Sequence, residues 1–235
     1  MLTEIAISGA ALAAAVTAGY HAMAPESQLY GATVTRVGDP RAMALTYDDG
    51  PNDPYTLRML EVLARHGAKA TFFMIGKYVQ QRPEIVREVV RAGHGVGNHT
   101  WDHPNLIFCS PREVARQLRD CSSAITDACG VVPTLFRPPF GGRTPWALKA
   151  ARGLGMTPVM WNVTGFDWSA TTGEAIEQRV VKQVARNPRG GEIILLHDGG
   201  HKAMGADRAH SVDATERILA RFAGEREFVG VSGGG

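Results

Sequence analysis

The chain has 235 residues, of which 44% are hydrophobic and 20% are charged, and its formal net charge is +2 at pH 7. This length fits one domain of barrel size and leaves no room for a second full domain, while the small net charge gives no electrostatic reason to expect nucleic acid as a partner. The cysteines Cys109, Cys121 and Cys129 are too few for a disulfide framework and match no zinc-binding spacing, so we interpret them as small buried hydrophobic residues.

The first 30 residues differ in composition from the rest of the chain. No Asp, Glu, Lys or Arg occurs from Ile5 to Ala24, which is close to the roughly 20 residues that a membrane-spanning helix needs. The stretch is rich in Ala rather than Leu, and Glu4 stands where a signal sequence favours a basic residue. The triplet ending at Ala24 has the form of a signal-peptidase site, but Pro25 follows it. We therefore predict an anchor or signal segment over residues 1–30, and we favour an uncleaved anchor, with a buried first helix as the alternative.

From residue 31 to residue 235, short apolar runs alternate with amphipathic stretches, a pattern typical of βα units. Seven strands are predicted, at Ala42–Tyr47, Ala70–Ile75, His94–Gly97, Val132–Phe136, Pro158–Trp161, Glu192–Leu196 and Glu227–Val231. Six helices are predicted between them, at Pro54–His66, at Pro83–Ala92, after the capping residues Ser110, Thr144 and Thr172, and at Ser211–Phe222. No Gly-rich dinucleotide fingerprint follows any strand, so the pattern favours a closed or nearly closed parallel barrel over an open doubly wound sheet.

The polar residues of interest follow the carboxyl ends of the predicted strands, where barrel enzymes build their active sites. The first strand leads to Asp48 and Asp49, two carboxylates that are costly to bury unless they are paired or bind a cation, although a surface turn is an equal alternative. The third strand leads to His99 and His103, whose spacing would place both imidazoles on one side of a helical turn. Such a pair is more often structural, but with a neighbouring Asp it would give the three ligands of a catalytic zinc site.

The fourth, fifth and sixth strands lead to further candidates. Arg137 beside a core strand needs an acidic partner, and the adjacent aspartates of the first strand are the obvious ones. The prolines after it stiffen the loop and would leave the amides of Phe140 and Gly141 free to face a ligand. His197 closes an apolar run, so we expect a lowered pKa and an acidic partner, for which Asp167 is suitable. Taken alone, a histidine at a strand end is usually structural.

In this order, the motifs resemble those of a known family, the polysaccharide deacetylases of the NodB-homology type, also called carbohydrate esterase family 4. The resemblance covers about residues 40 to 231 and rests on five motifs, Thr46-Tyr47-Asp48-Asp49-Gly50-Pro51, His99-Thr100-Trp101-Asp102-His103, Arg137-Pro138-Pro139-Phe140, Asp167-Trp168 and Leu195-Leu196-His197. Each short motif is weak alone, but the ordered combination is specific. One departure is Thr164, which stands where many members of the family have a further Asp.

The resemblance implies an α/β fold, a distorted TIM-like (β/α) barrel, with residues 31–235 as the catalytic domain. It implies a metal-dependent polysaccharide N-deacetylase, a hydrolase of carbon-nitrogen bonds other than peptide bonds. The substrate would be a glycan containing N-acetylglucosamine, such as chitooligosaccharide or peptidoglycan, and acetate would be released. The alternatives are an acetylxylan O-acetyl esterase and a non-catalytic glycan-binding module. We expect a monomer that acts outside the cytoplasm, secreted or associated with the membrane through its N-terminal segment.

The resemblance also implies three kinds of site residue, namely metal ligands (Asp49, His99 and His103), catalytic groups (Asp48, His197, Arg137 and Asp167) and substrate contacts (Phe140, Trp168 and Leu195). In this assignment Asp48 is the general base and Arg137 orients it. His197 is the general acid, and Asp167 orients it. The expected cofactor is a divalent metal, Zn²⁺ first, with Co²⁺ or Ni²⁺ as alternatives. The spacing of the residues does not itself decide which of the two adjacent aspartates binds the metal.

Overall fold

The computed structural model describes the backbone of residues 2–232 and the side chains of residues 13–232. One parallel sheet contains the strands β1 Ala42–Gly50, β2 Ala70–Met74, β3 Gly95–Asn98, β4 Leu135–Phe136, β5 Thr157–Pro158, β6 Val163–Thr164, β7 Glu192–His197 and β8 Glu227–Phe228. The α-helices are α1 Leu2–Met23, α2 Tyr55–Arg65, α3 Gly76–Gln81, α4 Pro83–Arg91, α5 Pro111–Cys129, α6 Pro145–Gly153, α7 Gly173–Val184 and α8 Ala209–Phe222.

The main ladder has the strand order β5-β4-β3-β2-β1-β7-β6, and β8 pairs with the first residues of β1. All these pairings are parallel. Among the described residues no ladder joins β5 to β6, so the sheet is curled but not closed. The prediction of an α/β barrel with about seven parallel strands is confirmed, in the form of a curled half-barrel.

Side chains along β1 alternate between two apolar clusters, and this alternation decides which of them face the functional site. Met43, Leu45 and Tyr47 belong to the main apolar core, which β1 shares with β2, β7 and the helices that cover them. The intervening Ala44 belongs to a separate apolar cluster with residues of β2, β4 and β7. Successive residues of a strand point to opposite faces of the sheet, so Ala44 and the next-but-one residue, Thr46, face the inside of the curl.

All six predicted helices are present, and three of them begin at the predicted capping residue. The side-chain oxygens of Ser110, Thr144 and Thr172 each accept a backbone N–H three residues later, which satisfies one of the donors left free at the start of a helix.

The largest differences from the predicted elements concern short segments. Helix α3 and the two-residue strand β6 are absent from the predicted elements, because neither is long enough to show a hydrophobic period. The fourth strand was predicted to begin at Val132, but this side chain is exposed and the ladder begins at Leu135. The cysteines are free, and Cys121 is buried while Cys109 and Cys129 are half-buried, so the interpretation as buried residues holds fully only for Cys121.

The amino-terminal helix α1 meets the domain through its carboxyl end. Residues 13–20 are exposed, whereas Ala22 is buried. Within the described part of the chain, no helix has both the length and the apolar character required to cross a bilayer. The anchor predicted over Ile5–Ala24 falls partly on residues 5–12, whose side chains lie outside those described.

Candidate active site

The carboxyl end of β1 carries both aspartates because the strand is irregular there. The pairing with β2 shifts register between Asp48 and Gly50, and Asp49 has a left-handed backbone with φ of 74°. In a regular strand the two side chains would point to opposite faces, and a bulge of this kind redirects one of them. As a result Asp48 Oδ2 and Asp49 Oδ1 lie 3.7 and 3.6 Å from the same atom, His99 Nε2.

His99 and His103 lie together, but in a loop. Thr100 and His103 have positive φ values of 68° and 65°, so the helical turn expected from the spacing is wrong. The two rings meet edge to face, with centroids 4.9 Å apart. His99 Nδ1 lies 2.7 Å from the carbonyl oxygen of Arg137 and donates a hydrogen to it, which leaves Nε2 with its lone pair toward the aspartates.

Asp49, His99 and His103 fit the requirements of a metal site. They are buried, and each offers a ligand atom such that all three atoms lie within 4.8 Å of one another. Asp49 Oδ1 is a buried oxygen without a hydrogen-bond partner among the described residues, and it lies 3.2 Å from His103 Nε2. Burial, assisted by His99, lowers the pKa of His103 to about 3, so the ring is neutral and able to bind a metal. These residues can hold a divalent cation.

The acidic partner of Arg137 is Asp48. Its guanidinium is fully buried, and Nη1 donates to Asp48 Oδ1 at 2.8 Å and to Thr46 Oγ1 at 2.7 Å. Nη2 donates to the carbonyl of Met160 at 3.1 Å, and the ring of Phe73 lies 4.1 Å from the guanidinium carbon. One carboxylate oxygen of Asp48 is therefore fixed by a charged hydrogen bond. The residue types alone did not decide which of the two aspartates would pair with Arg137.

His197 and Asp167 form a second buried pair. Asp167 Oδ1 accepts from His197 Nδ1 at 2.7 Å, while Oδ2 accepts from the backbone N–H of His197 and from Ser211 Oγ. Burial by itself would lower the pKa of His197, but the charge and hydrogen bond of Asp167 outweigh it and raise the pKa to about 9. The expected acidic partner is confirmed, and the expected lowered pKa is wrong.

Phe140 occupies the tip of the loop that follows β4. Its backbone is left-handed with φ of 57°, its side chain is 47% exposed, and its N–H makes no hydrogen bond to any described residue. The amide of Gly141 instead donates to the carbonyl of Pro138 at 3.0 Å, so the expectation of two free amides is correct for Phe140 only.

All ten residues proposed from the sequence meet around one cavity or directly support its walls. The cavity has a volume of about 960 Å³, and its lining includes Asp48, Asp49, His99, His103, Phe140, Trp168, Leu195 and His197. The remaining two, Arg137 and Asp167, lie behind Asp48 and His197. Trp168 is 52% exposed and its ring stands edge-on to His197, with centroids 5.3 Å apart. The volume is near the upper end of the range of about 300–1,000 Å³ for small-molecule sites.

Comparison with known proteins agrees with this geometry. The family model described as polysaccharide deacetylase matches residues 35–159. A chitooligosaccharide deacetylase of Sinorhizobium fredii is 41% identical over 72% of this chain and 78% of its own length. The chain belongs to the polysaccharide deacetylase family. The family prediction made from the five motifs is thus confirmed.

Solved structures of this deacetylase family share the fold. Peptidoglycan deacetylase PdaC from Bacillus subtilis superposes with a TM-score of 0.71 at 33% identity, over 82% of this chain and 90% of its own. A carbohydrate esterase family 4 pseudoenzyme from Bacillus anthracis gives a TM-score of 0.75 at 27% identity, over 85% and 66% of the two chains. Since one neighbour is a pseudoenzyme, the shared fold does not by itself establish catalysis, which depends on the side chains of the site.

Two polar residues of the deacetylase site had no role in the sequence analysis. His201, in the loop after β7, stacks on His103 with centroids 4.7 Å apart, and its Nδ1 lies 3.8 Å from Asp49 Oδ2. Asp198 is fully buried and accepts a hydrogen bond from Thr56, and burial raises its pKa to about 7. Only the position of Asp198 directly after the His197 motif could have drawn attention to it, and nothing in the sequence marks His201.

Proposed function

We propose that the protein is a metal-dependent N-deacetylase that removes acetyl groups from N-acetylglucosamine units of chitooligosaccharide or peptidoglycan. One observation carries this proposal: a free carboxylate oxygen, a histidine hydrogen-bonded to a buried carboxylate and a metal-type cluster line a single cavity. The carboxylate is that of Asp48, the histidine is His197, and the cluster comprises Asp49, His99 and His103.

The chemistry of amide hydrolysis matches these groups. An amide carbonyl is a poor electrophile and an amine is a poor leaving group, so hydrolysis at neutral pH needs both an activated water and a proton donor. A divalent metal bound by the three ligands would supply Lewis acidity, which acidifies water and polarises a carbonyl. Asp48 accepts the proton of the attacking water, because Arg137 occupies its Oδ1 and leaves Oδ2 available.

Proton delivery falls to His197. The hydrogen bond from Nδ1 to Asp167 fixes the orientation of the ring and leaves Nε2 to donate to the nitrogen of the departing amine. Its pKa of about 9 keeps the ring protonated at neutral pH. The unpaired N–H of Phe140 donates to the oxygen of the tetrahedral intermediate, where negative charge develops.

The acetyl methyl group needs a small apolar surface. Leu195 is buried at the cavity wall, and Trp168 is half-exposed beside His197. These two side chains are the methyl contacts in this proposal. They place the acyl group between the base and the acid, as the reaction requires.

Acetate release from chitooligosaccharide, peptidoglycan and acetylxylan, measured side by side with metal-loaded protein, tests the proposal. We expect release from the N-acetylated substrates and its loss in Asp48→Asn. Release from acetylxylan alone would identify an O-acetyl esterase instead. Binding of glycan without release from any substrate would identify a non-catalytic module, which is the outcome that the pseudoenzyme neighbour makes worth testing.

The metal, the location and the oligomeric state complete the proposal. His and carboxylate ligands in an open site suit Zn²⁺, with Co²⁺ or Ni²⁺ as substitutes. The stretch from Ile5 to Ala24, without acidic residues, Lys or Arg, supports an extracytoplasmic enzyme that retains this segment and associates with the membrane through it. The enzyme acts as a monomer. Metal analysis of purified protein, cell fractionation and light scattering test these three points.

A further inference from the structure

The cavity extends well beyond the groups that perform the reaction. Part of its wall is formed by the end of α1 and the segment after it, including Tyr20, His21, Met23 and residues 24–27. None of these residues belongs to the five motifs or to the proposed chemistry. An acetamide group fills only a small part of a cavity of about 960 Å³, so the remaining space must accept more of the substrate or stay open to solvent.

A buried arginine fastens this segment to the active-site loop. Arg143 has no exposed surface, and it donates to the carbonyl of Gly141 at 3.1 Å on one side. On the other side it donates to the carbonyls of Ala24 at 2.5 Å and Ser27 at 2.8 Å. Its backbone N–H also donates to the carbonyl of Ala22 at 3.1 Å. The loop with Phe140 and the end of α1 are therefore joined through one guanidinium.

The energetics indicate that this junction is specific. A buried guanidinium is costly without compensation, and Arg143 makes no ion pair with any carboxylate of the described residues. Its partners are carbonyl groups, and that of Ala24 lies directly after the carboxyl end of α1, where unpaired oxygens carry partial negative charge. Burial without an acidic partner lowers the pKa of Arg143. The cost is offset only while the segment stays docked.

Further contacts hold the docked segment. The Tyr30 hydroxyl donates to the carbonyl of Ala18 at 2.9 Å, and Arg36 forms an ion pair with Glu26 at 3.2 Å. Gly141 also contacts the segment, since a Cβ built at this position would lie within van der Waals distance, 3.6 Å, of the carbonyl oxygen of Met23. The segment is thus built into the rim of the cavity.

Two side chains of this rim have the chemistry of a sugar subsite. Tyr20 is 65% exposed, and its ring meets the His21 ring edge to face with centroids 5.2 Å apart. His21 Nδ1 is hydrogen-bonded to Ser27 Oγ at 2.8 Å, which leaves Nε2 for a hydroxyl group. An exposed aromatic ring offers an apolar face, and a sugar ring has an apolar face of C–H groups to place against it.

We propose that Tyr20 and His21, held in place by Arg143, form a subsite for a second pyranose ring of the oligosaccharide, next to the unit that loses its acetyl group. This inference rests on the proposed function, because it takes N-acetylglucosamine oligomers as the ligand. Arg143 is a positioning residue in this scheme and does not touch the substrate.

The test compares Tyr20→Ala/His21→Ala with the wild type on chitooligosaccharides of two to six units and on 4-nitrophenyl acetate, which has no sugar. We expect kcat/KM for all of these oligomers to fall about 10-fold, mainly through KM, as for the loss of one aromatic contact and one hydrogen bond. The activity on 4-nitrophenyl acetate should stay unchanged. Val16→Ala is the matched control, because Val16 is 64% exposed on the same helix and does not line the cavity.

Two results would overturn the subsite. One is an equal loss on all substrates, including 4-nitrophenyl acetate, and the other is unchanged kinetics on every oligomer. Calorimetric titration with chitohexaose separates this inference from the proposed function. If the wild type releases no acetate, a Kd that is raised about 10-fold in the double variant still supports the subsite, and an unchanged Kd refutes it.

Discussion

Replacing each of the two adjacent aspartates by Asn separates their roles more sharply than any other change at this site. Asp48 Oδ1 is hydrogen-bonded to the buried Arg137, whereas Asp49 Oδ1 has no hydrogen-bond partner in the described part of the chain and faces His103. We therefore expect Asp49→Asn to lose metal, because the neutral amide lacks the charge that complements a cation, and to regain part of its activity in excess metal. Asp48→Asn should retain metal and remain inactive.

The expected losses of activity and of stability in Asp48→Asn follow from the two roles of this carboxylate, as general base and as ion-pair partner of Arg137. Loss of a general base costs about 10² to 10⁴ in rate, which is roughly 2.7–5.4 kcal/mol of activation free energy. Removal of one partner from a buried ion pair costs about 3–5 kcal/mol of unfolding free energy, and we expect the lower end because the Asn oxygen still accepts from Arg137. At roughly 2–4 °C per kcal/mol for a chain of this length, the melting temperature should fall by about 6–12 °C.

The assay measures bound metal per chain, acetate release across a metal titration and the melting temperature with and without metal. Wild type and Asp48→Asn should both gain thermal stability from metal, and Asp49→Asn should gain little at the same concentration. Asp39→Asn, at a surface position away from the cavity, is the control for the loss of a carboxylate. A metal-depleted Asp48→Asn together with a metal-replete but inactive Asp49→Asn would show that the roles are reversed.

Three further outcomes are expected. Chelation should abolish acetate release, and Zn²⁺ or Co²⁺ should restore it; full activity in a verified metal-free preparation would contradict the mechanism. In the wild type, kcat should fall as pH rises through about 9, where His197 loses its proton. In Asp167→Asn this alkaline limb should move to lower pH, because the burial that lowers the pKa of His197 remains while the charge and hydrogen bond of Asp167, which raise it most, are gone; an unmoved limb would exclude His197 as the acid. Gly50→Ala should destabilise the fold by about 1–3 kcal/mol, because its Cβ would lie 2.2 Å from Asp198 Oδ2. Gly153→Ala is the control and should not destabilise the fold, because this position is helical and its Cβ would meet no described atom within 4 Å apart from its own helix backbone and chain neighbours. Equal melting temperatures for the two variants would refute the clash.

The sequence predicted which residues would meet because parallel strands end at one edge of the sheet. Asp48, His99, Arg137 and His197 follow or end different strands, and the main ladder places those strands side by side. This inference needs only the order of the strands and the position of each residue relative to a strand end. It is independent of loop conformation, so it holds although several strands are only two residues long.

The local backbone conformation of the site could not be predicted from the spacing of residues in the sequence. The backbone is left-handed at Asp49, Thr100, His103 and Phe140, a conformation that residues other than glycine seldom adopt and that the spacing of the motifs does not predict. Such positions persist only where tertiary contacts impose them, and they concentrate at functional sites. For this reason the motif of two histidines is a loop, and the division of roles between the aspartates depends on a bulge.

The direction of the His197 pKa shift could likewise not be predicted from the sequence. The apolar run before it correctly predicted burial, and burial alone does lower the pKa of a histidine. The outcome depended on a carboxylate 2.7 Å away, which comes from a segment about 30 residues earlier in the chain. The residue types were sufficient to suggest the pair, but the sign of the pKa shift required the distance.

The buried charges of the site favour a bound divalent metal, and this reason does not depend on any sequence motif. Arg137 compensates the charge of Asp48, and His197 compensates that of Asp167. Asp49 is buried, and although burial opposes its charge, the hydrogen bond from His201 and the positive charge of His197 lower its pKa and keep it ionised. His103 is neutral, because its own pKa is lowered to about 3, so it cannot compensate Asp49 as a cation. Asp49 is thus left as a buried negative charge beside the free nitrogens of His103 and His99, and a divalent cation is the ligand that this arrangement favours.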